Sequence, residues 1–325
     1  MTNARISPVA TVALAIGAAG AAALAWGSLV ERTRWTLRQV EVAVLPPGAT
    51  PVRVLHLSDL HMAPWQRDKQ QWVRTLAELE PDLIVDTGDN LGHERGIDGI
   101  RRAFDAFHGI PGVFVNGSND YFGPVLKNPF SYFTGPSRFG RRAKRLDIDE
   151  LHGYFGELGW HDLDNTAAAL DLRGTHFEFF GVDDPHKGYD RLDLITAAID
   201  ELRAEDPLGD ETWPDEASVG ARRPTVTVGV THAPYQRVLN SFVNHGAQLM
   251  LAGHTHGGQV CVPGFGALVT NCDIPRAQVK GLSVWRHGLR SAFLNVSAGL
   301  GTSIYAPVRF ACPPEASLLT LVPTE

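Results

Sequence analysis

The sequence predicts an α/β protein carried behind one N-terminal transmembrane helix. Three observations predict it. The N-terminus holds a long uncharged run, short apolar segments then alternate with segments of helical spacing, and Asp, His and Asn collect where the apolar segments end. Strands alternating with helices indicate βαβ units.

From Ile6 to Val30 there is no charged residue, a stretch of 25 rich in Ala, Leu and Val. That exceeds the ~20 residues a helix needs to cross a bilayer. The small residues of "AAALA" also fit a cleaved signal peptide. Against that alternative, the run is long for a signal core, and Arg5 is the only basic side chain before it. We favour an uncleaved, single-pass anchor in the cell membrane. Arg32, Arg34 and Arg38 follow the run, and the positive-inside tendency favours a cytoplasmic over an external position for the rest of the chain. Residues 1–50 read as anchor and linker, closing at "LPPGAT", and residues 51–325 as one domain without repeats.

Within that domain "VRVLHLSD" reads as a buried strand ending at Ser58-Asp59. "QQWVRTLAELE" has helical spacing and is stopped by Pro81. "DLIVDTGD" is a second strand, "GIRRAFDAF" a helix and "GVFVNGSND" a third strand. Further strands are expected at "FEFFGVDD", "TVTVGVTH", "AQLMLAGHTH" and "AFLNVSAGLG", and "LDLITAAIDELRA" is an amphipathic helix. Two stretches break the rhythm. Phe122 to Leu146 reads as a loop with the basic cluster Arg138, Arg141, Arg142, Lys144 and Arg145, among Phe130, Tyr132, Phe133 and Phe139. Glu205 to Pro224 reads as a polar surface excursion.

Composition excludes less. With 325 residues, 44% of them hydrophobic, the chain can bury a large core. A net charge of -7 disfavours a nucleic-acid binder. Cys261, Cys272 and Cys312 are odd in number and far apart, so we expect packing roles and no disulfide framework.

The chemistry lies at the strand ends: Asp59-Leu60-His61, Gly88-Asp89-Asn90, Gly117-Ser118-Asn119-Asp120, Thr231-His232 and Gly253-His254-Thr255-His256. In open α/β sheets ligands gather outside the carboxyl ends of strands. Singly, each Asp or His fits a turn or cap. Two imidazoles two residues apart, followed by Gly257-Gly258, can meet separate metals if the backbone bends between them.

Together these motifs resemble the calcineurin-like metallophosphoesterase family, whose pattern is D-x-H, G-D, G-N-H-D/E, a lone His and G-H-x-H. The resemblance spans roughly Val52 to Val322. "GHTHGGQ" and "VPGFGALVTN" look closest to the membrane-associated bacterial branch. It implies a metallophosphoesterase-type four-layer β-sandwich flanked by helices. It also implies two divalent metal ions, with mixed carboxylate and imidazole ligation suiting Mn, Fe or Zn. Asp59, His61 and His256 would hold one ion, His232 and His254 the second, and Asp89 would bridge them. Such ions, ~3.5–4 Å apart, clamp a phosphate and generate a hydroxide from water.

The third motif departs from the pattern: Ser118 stands at the ligand Asn and Asn119 at the His. Either Asn119 supplies the missing carbonyl ligand, or Ser118 or water does so while Asn119 hydrogen-bonds the phosphate. An amide is no acid, so the family's general acid is absent here. His93, His186 and His245 are candidate substitutes, each also readable as a surface or packing residue. Asp120 is expected either to pair with a histidine N–H or to cap a turn, and Asp183 and Asp184 to cap.

The expected function is a membrane-anchored dimetal phosphoesterase acting on a phosphodiester, phosphomonoester or pyrophosphate. The basic loop reads either as a solvated surface run or, near the anchor, as a site for anionic head groups or a second phosphate. The latter suggests a lipid-linked substrate at the membrane, with no nucleic acid favoured. The alternatives are a metal-binding scaffold with little turnover and a nuclease of the same fold.

Overall fold

The computed structural model describes residues 7–126, 143–205 and 224–325. The basic residues Arg138, Arg141 and Arg142, the aromatics among them, and the excursion over 206–223 lie outside the described residues. Near the ends of the basic loop, Phe122 and Arg145 form a bridge, and Lys144 pairs with Glu94.

Helix α1 (Pro8–Leu29) begins where the Ser7 hydroxyl accepts from the Ala10 amide at 3.2 Å, as an N-cap should. Its side chains face outward along nearly the whole length, with only Gly27 buried. Among the described residues it is the one helix long and apolar enough to cross a membrane. Its inner end meets the domain. The Arg309 amide donates to the Gly27 carbonyl at 3.1 Å, and the Glu31 carboxylate accepts from Trp26 Nε1 at 3.0 Å and the Cys312 amide at 2.6 Å.

The chain continues through β1 (Thr36–Leu45), β2 (Val52–Leu57), α2 (Arg67–Thr75), β3 (Leu83–Asp86), α3 (Ile97–Phe104) and β4 (Gly112–Phe114). Next come α4 (Ser118–Tyr121), α5 (Ile148–Glu157), β5 (Trp160–Asp162), β6 (Ala167–Leu172), β7 (Thr175–Val182) and α6 (Ile195–Glu205). After these follow β8 (Thr225–Thr231), α7 (Gln236–Asn244), β9 (Leu249–Ala252), β10 (Cys261–Val262) and β11 (Gly266–Ala267). The chain closes with β12 (Gly281–His287), β13 (Arg290–Val296) and β14 (Glu315–Pro323).

Two six-stranded sheets result, in the orders β1-β14-β2-β3-β4-β5 and β12-β13-β9-β8-β7-β6, while β10 and β11 form a separate hairpin. Strand alternation sorts the apolar side chains. Val52, Val54, Leu83, Val85 and Val113 face Phe177, Phe179, Val228 and Leu251 between the sheets. The opposite parity of the first sheet, Leu55, Leu57, Ile84 and Phe114, packs on Val73, Ile100, Phe104 and Phe155 of α2, α3 and α5. Phe180, Met250 and Leu294 of the second sheet pack on Ile195, Val238 and Phe242 of α6 and α7. The layers run helix, sheet, sheet, helix, the expected four-layer sandwich.

One boundary moves. Thr36–Leu45, placed by sequence in the linker, pairs in parallel with β14 along its whole length and forms the edge of the first sheet. Its buried positions begin only at Val42, so its apolar pattern is half that of a central strand.

Candidate metal centre

β2, β3, β4, β8 and β9 all release their chains at one rim, where the two sheets meet. Beyond the strand ends the loops go on pairing: the Asp59 amide donates to Gly88 O at 2.8 Å, His61 to Asp89 O at 2.9 Å, Gly253 to His232 O at 2.8 Å and Gly301 to Asp59 O at 2.7 Å. This lacing joins the loops after β2, β3 and β13 to one another, and the loop after β8 to that after β9. Asp59 (φ 50°), His61 (φ 39°), Asp89 (φ 58°), His254 (φ 68°) and His256 (φ 50°) all sit in the left-handed region. Each costs on the order of 1 kcal/mol for a side-chain-bearing residue, and such strain concentrates at functional sites. The histidines share the bend with Gly257 (φ 62°) and Gly258 (φ 84°), the glycines to which the sequence assigned it. Gly253 serves close approach instead, since a Cβ there would stand 1.9 Å from Ser58 Oγ.

The predicted ligands meet. Asp59, His61 and His256 bring ligand atoms within 4.8 Å of one another, and so do Asp59, Asp89 and His232. Asp89 lies between the two halves, with Oδ2 3.6 Å from His61 Nε2 and Oδ1 3.6 Å from His232 Nε2. His61 Nε2 stands 3.3 Å from His256 Nε2, and His232 Nε2 stands 3.2 Å from His254 Nδ1. Asp59 Oδ2 accepts from Ser58 Oγ and the His254 amide, while Oδ1 is buried without a partner, 3.5 Å from His256 Nε2.

Hydrogen bonds on the far side of each ring orient the two imidazoles. His232 Nδ1 lies 2.7 Å from Thr87 O, and His254 Nε2 lies 3.1 Å from Asn271 O. His232 Nδ1 donates to the Thr87 carbonyl and leaves Nε2 facing His254 Nδ1 at 3.2 Å, while Asn271 Nδ2 also lies 3.2 Å from His254 Nε2. With the His232 ring protonated the contact between the two rings is a hydrogen bond, and a divalent ion displacing the proton would find both nitrogens facing it. Two nitrogens bound tetrahedrally at about 2.1 Å to one ion would be about 3.4 Å apart. The donor set therefore fits a pair of divalent ions.

Electrostatics agree. Burial holds the His61 imidazole down to about 4 and that of His256 to about 3, so both stay neutral. Burial opposes ionisation of Asp89, but the His232 and His61 imidazoles outweigh it and hold the carboxyl well below the usual range. Burial also lowers His232, yet Asp89, Asp59 and Asp184 together raise it to about 9; a metal ion would displace that proton.

The third motif divides. Asn119 donates to Asp89 from its backbone amide at 2.7 Å and from Nδ2 at 2.6 Å. The Ser118 hydroxyl turns away and donates to buried Asp184. The histidine partner considered for Asp120 is corrected: its carboxylate accepts from the amides of Asp89 (2.8 Å), Asn90 (2.7 Å), Leu91 (3.3 Å) and Gly117 (2.9 Å). It clamps the Asp89 loop to the third motif through backbone. Asp184 caps as expected, accepting from the His186 amide at 2.8 Å.

Of the three candidate acids, the structure brings His186 to the centre, its ring centroid 4.5 Å from that of His254 and its Nδ1 2.9 Å from Tyr235 Oη. His93 instead lies edge-on to Trp65, and His245 lies against Thr196 and Ser241. Two supporting residues escaped the sequence reading. Arg309, fully buried, donates from Nη2 to the carbonyls of Ala298 (2.7 Å), Gly299 (3.0 Å) and Gly301 (2.8 Å), with Nη2 also 3.2 Å from His256 Nδ1. Lys69 Nζ donates to Leu60 O at 2.5 Å, and burial lowers it to about 7. Neither stands in a motif, so no local signal marked them.

Comparison with known proteins follows this geometry. The family described as calcineurin-like phosphoesterase matches residues 52–258. The uncharacterized metallophosphoesterase YkuE of Bacillus subtilis is 24% identical over 298 residues, 91% of this chain and 87% of its own. A bovine (Bos taurus) transmembrane protein with metallophosphoesterase domain is 24% identical over 233 residues, 69% of this chain and 45% of its own. Among solved structures, TT1561 of Thermus thermophilus aligns with TM-score 0.38 and 14% identity, over 77% of this chain and 91% of its own.

Proposed function

The chain belongs to the calcineurin-like phosphoesterase family, and from that premise we propose that it is a membrane-tethered, dimetal hydrolase of phosphoric esters. The observation that carries this is the convergence of Asp59, His61 and His256, and of Asp59, Asp89 and His232, each set with its ligand atoms within 4.8 Å, beside an Asp59 oxygen that has no hydrogen bond. Side chains poised this way are arranged for cations.

Bound there, two divalent ions supply charge to a phosphate's oxygens and acidity to a bound water. The chain's residues do the rest. Asp89 would bridge the halves, with Asp59, His61 and His256 on one side and His232 and His254 on the other. Asn119 donates to both oxygens of the Asp89 carboxylate, and would hold that shared ligand in place. Asp120 keeps the two loops in register, and Arg309 holds His256. The position of His186 against His254 supports it as the proton donor that Asn119 cannot be.

α1 and the bovine relative's name support a membrane tether, and Arg32, Arg34 and Arg38 support a cytoplasmic domain. A substrate at the bilayer follows: a phosphodiester, phosphomonoester or pyrophosphate, lipid-linked by preference. The full-length chain in detergent, loaded with Mn, Fe or Zn, should hydrolyse members of a panel of these, lipid-linked ones included. Two bound ions without turnover on any of them would replace the enzyme with a metal-binding scaffold.

A further inference from the structure

The three cysteines do not all stay apart. Cys261 lies on β10 and Cys312 three residues beyond Arg309, and both are buried. The two segments run side by side: Val260 and Phe310 form a bridge, and the Cys261 amide donates to Phe310 O at 2.8 Å. Both sulfurs converge on one acceptor, the carbonyl of Gly257, at 3.3 Å from Cys261 Sγ and 3.4 Å from Cys312 Sγ. Cys272 is elsewhere, beside Asp273, with Sγ 3.8 Å from its Oδ1.

We propose that Cys261 and Cys312 form a disulfide, a covalent clamp seated against the loop that carries His256. The position suits that role. Gly257 follows His256 directly, and Cys312 Sγ also reaches the His256 carbonyl at 3.4 Å. Gly257 leaves little room there, since a Cβ on it would stand 2.7 Å from Cys312 Sγ. The Arg309–Cys312 segment is itself tied to the end of α1 through Gly27 and Glu31. A bond between the sulfurs closes a ring that contains the β10–β11 hairpin and Arg309, and that ring meets the metal loop and the anchor's base through hydrogen bonds.

The step needs an oxidant, a low-molecular-weight disulfide such as oxidised glutathione, so on the cytoplasmic side the pair stands reduced and closes when conditions turn oxidising. One cysteine, as thiolate, attacks it and expels one small thiolate, leaving a mixed disulfide. The second cysteine attacks that bond and expels the other. One internal S–S bond forms, one external S–S bond breaks, and the two cysteine protons leave on two small thiols.

The ring would enclose about fifty residues, large enough to restrict the unfolded chain substantially. The full-length protein is equilibrated in oxidised glutathione, quenched with acid, alkylated under denaturing conditions and digested. The proposal expects a peptide pair joined through Cys261 and Cys312, with Cys272 alkylated. It also expects dithiothreitol to lower the melting temperature of the oxidised wild type by roughly 5–10 °C, and not that of Cys261→Ala. Full alkylation of Cys261 and Cys312 in the wild type, or pairing of either with Cys272, would overturn it. The mapping stands on wild-type protein, so it holds even if the variant fails to fold.

Discussion

The two halves of the metal centre make an instructive contrast. Asp59, His61 and His256 complete the first half with side chains alone, braced from behind by Arg309 and Lys69. The second half has two imidazoles, oriented by the carbonyls of Thr87 and Asn271, and shares Asp89. Where the family pattern puts an amide ligand, this chain puts Ser118, turned onto Asp184. The first half is over-determined. The second depends on what Asn119 does.

Asp89→Ala should break the contrast outright, because its carboxylate serves both halves. We expect hydrolysis to fall by at least about 1,000-fold, on the scale of several kcal/mol that metal ions contribute. Steady-state assays would detect this, and unchanged turnover would remove Asp89 from the centre. His186→Ala probes the second half alone. If His186 protonates the leaving group, rates on poor leaving groups such as alkyl esters should fall about 100-fold, and those on aryl esters far less. Equal losses on both would make His186 a packing residue. Asn119→His sharpens the same half. If Asn119 is a ligand, metal content drops toward one ion per chain; if it only touches phosphate, content stays and activity holds or rises.

The smallest effect concerns the floor beneath both halves. His56 is fully buried, bonded to Thr87 Oγ1 at 3.0 Å and to Asn295 at 2.9 Å across the two sheets, and burial lowers it to about 3. The folded chain thus accepts His56 neutral, while the unfolded chain protonates it near 6.5. Its contribution to stability is complete above that value and is lost as pH falls toward 3, at up to about 1.4 kcal/mol per pH unit. Denaturant unfolding between pH 6.5 and 4 should therefore be less pH-dependent in His56→Gln than in the wild type.

Much of this was legible in the sequence because the ligands sit at the ends of short, continuously apolar strands. "VRVLHLSD" and "AQLMLAGHTH" announce both the strand and the place where it stops. Edge strands announce themselves less: Thr36–Leu45 has one side exposed for half its length and reads as linker. Tertiary partners do not announce themselves at all. Asp120 could have faced a histidine or a backbone turn, and only assembled loops show four amides aimed at it. Arg309 sits in "APVRFACPP", far from any ligand in sequence, and reaches His256 only when the chain's last third folds over the rim. The same return brings Cys312 to Cys261, a proximity that spacing along the chain had argued against.

The most direct measurement is a titration of metal-stripped, full-length protein with Mn or Zn, read by equilibrium dialysis and elemental analysis. The account predicts two ions per chain, falling to one in His254→Ala. A wild-type chain that binds no stoichiometric metal, or binds two with His254 and Asp89 both replaced by alanine, would contradict it.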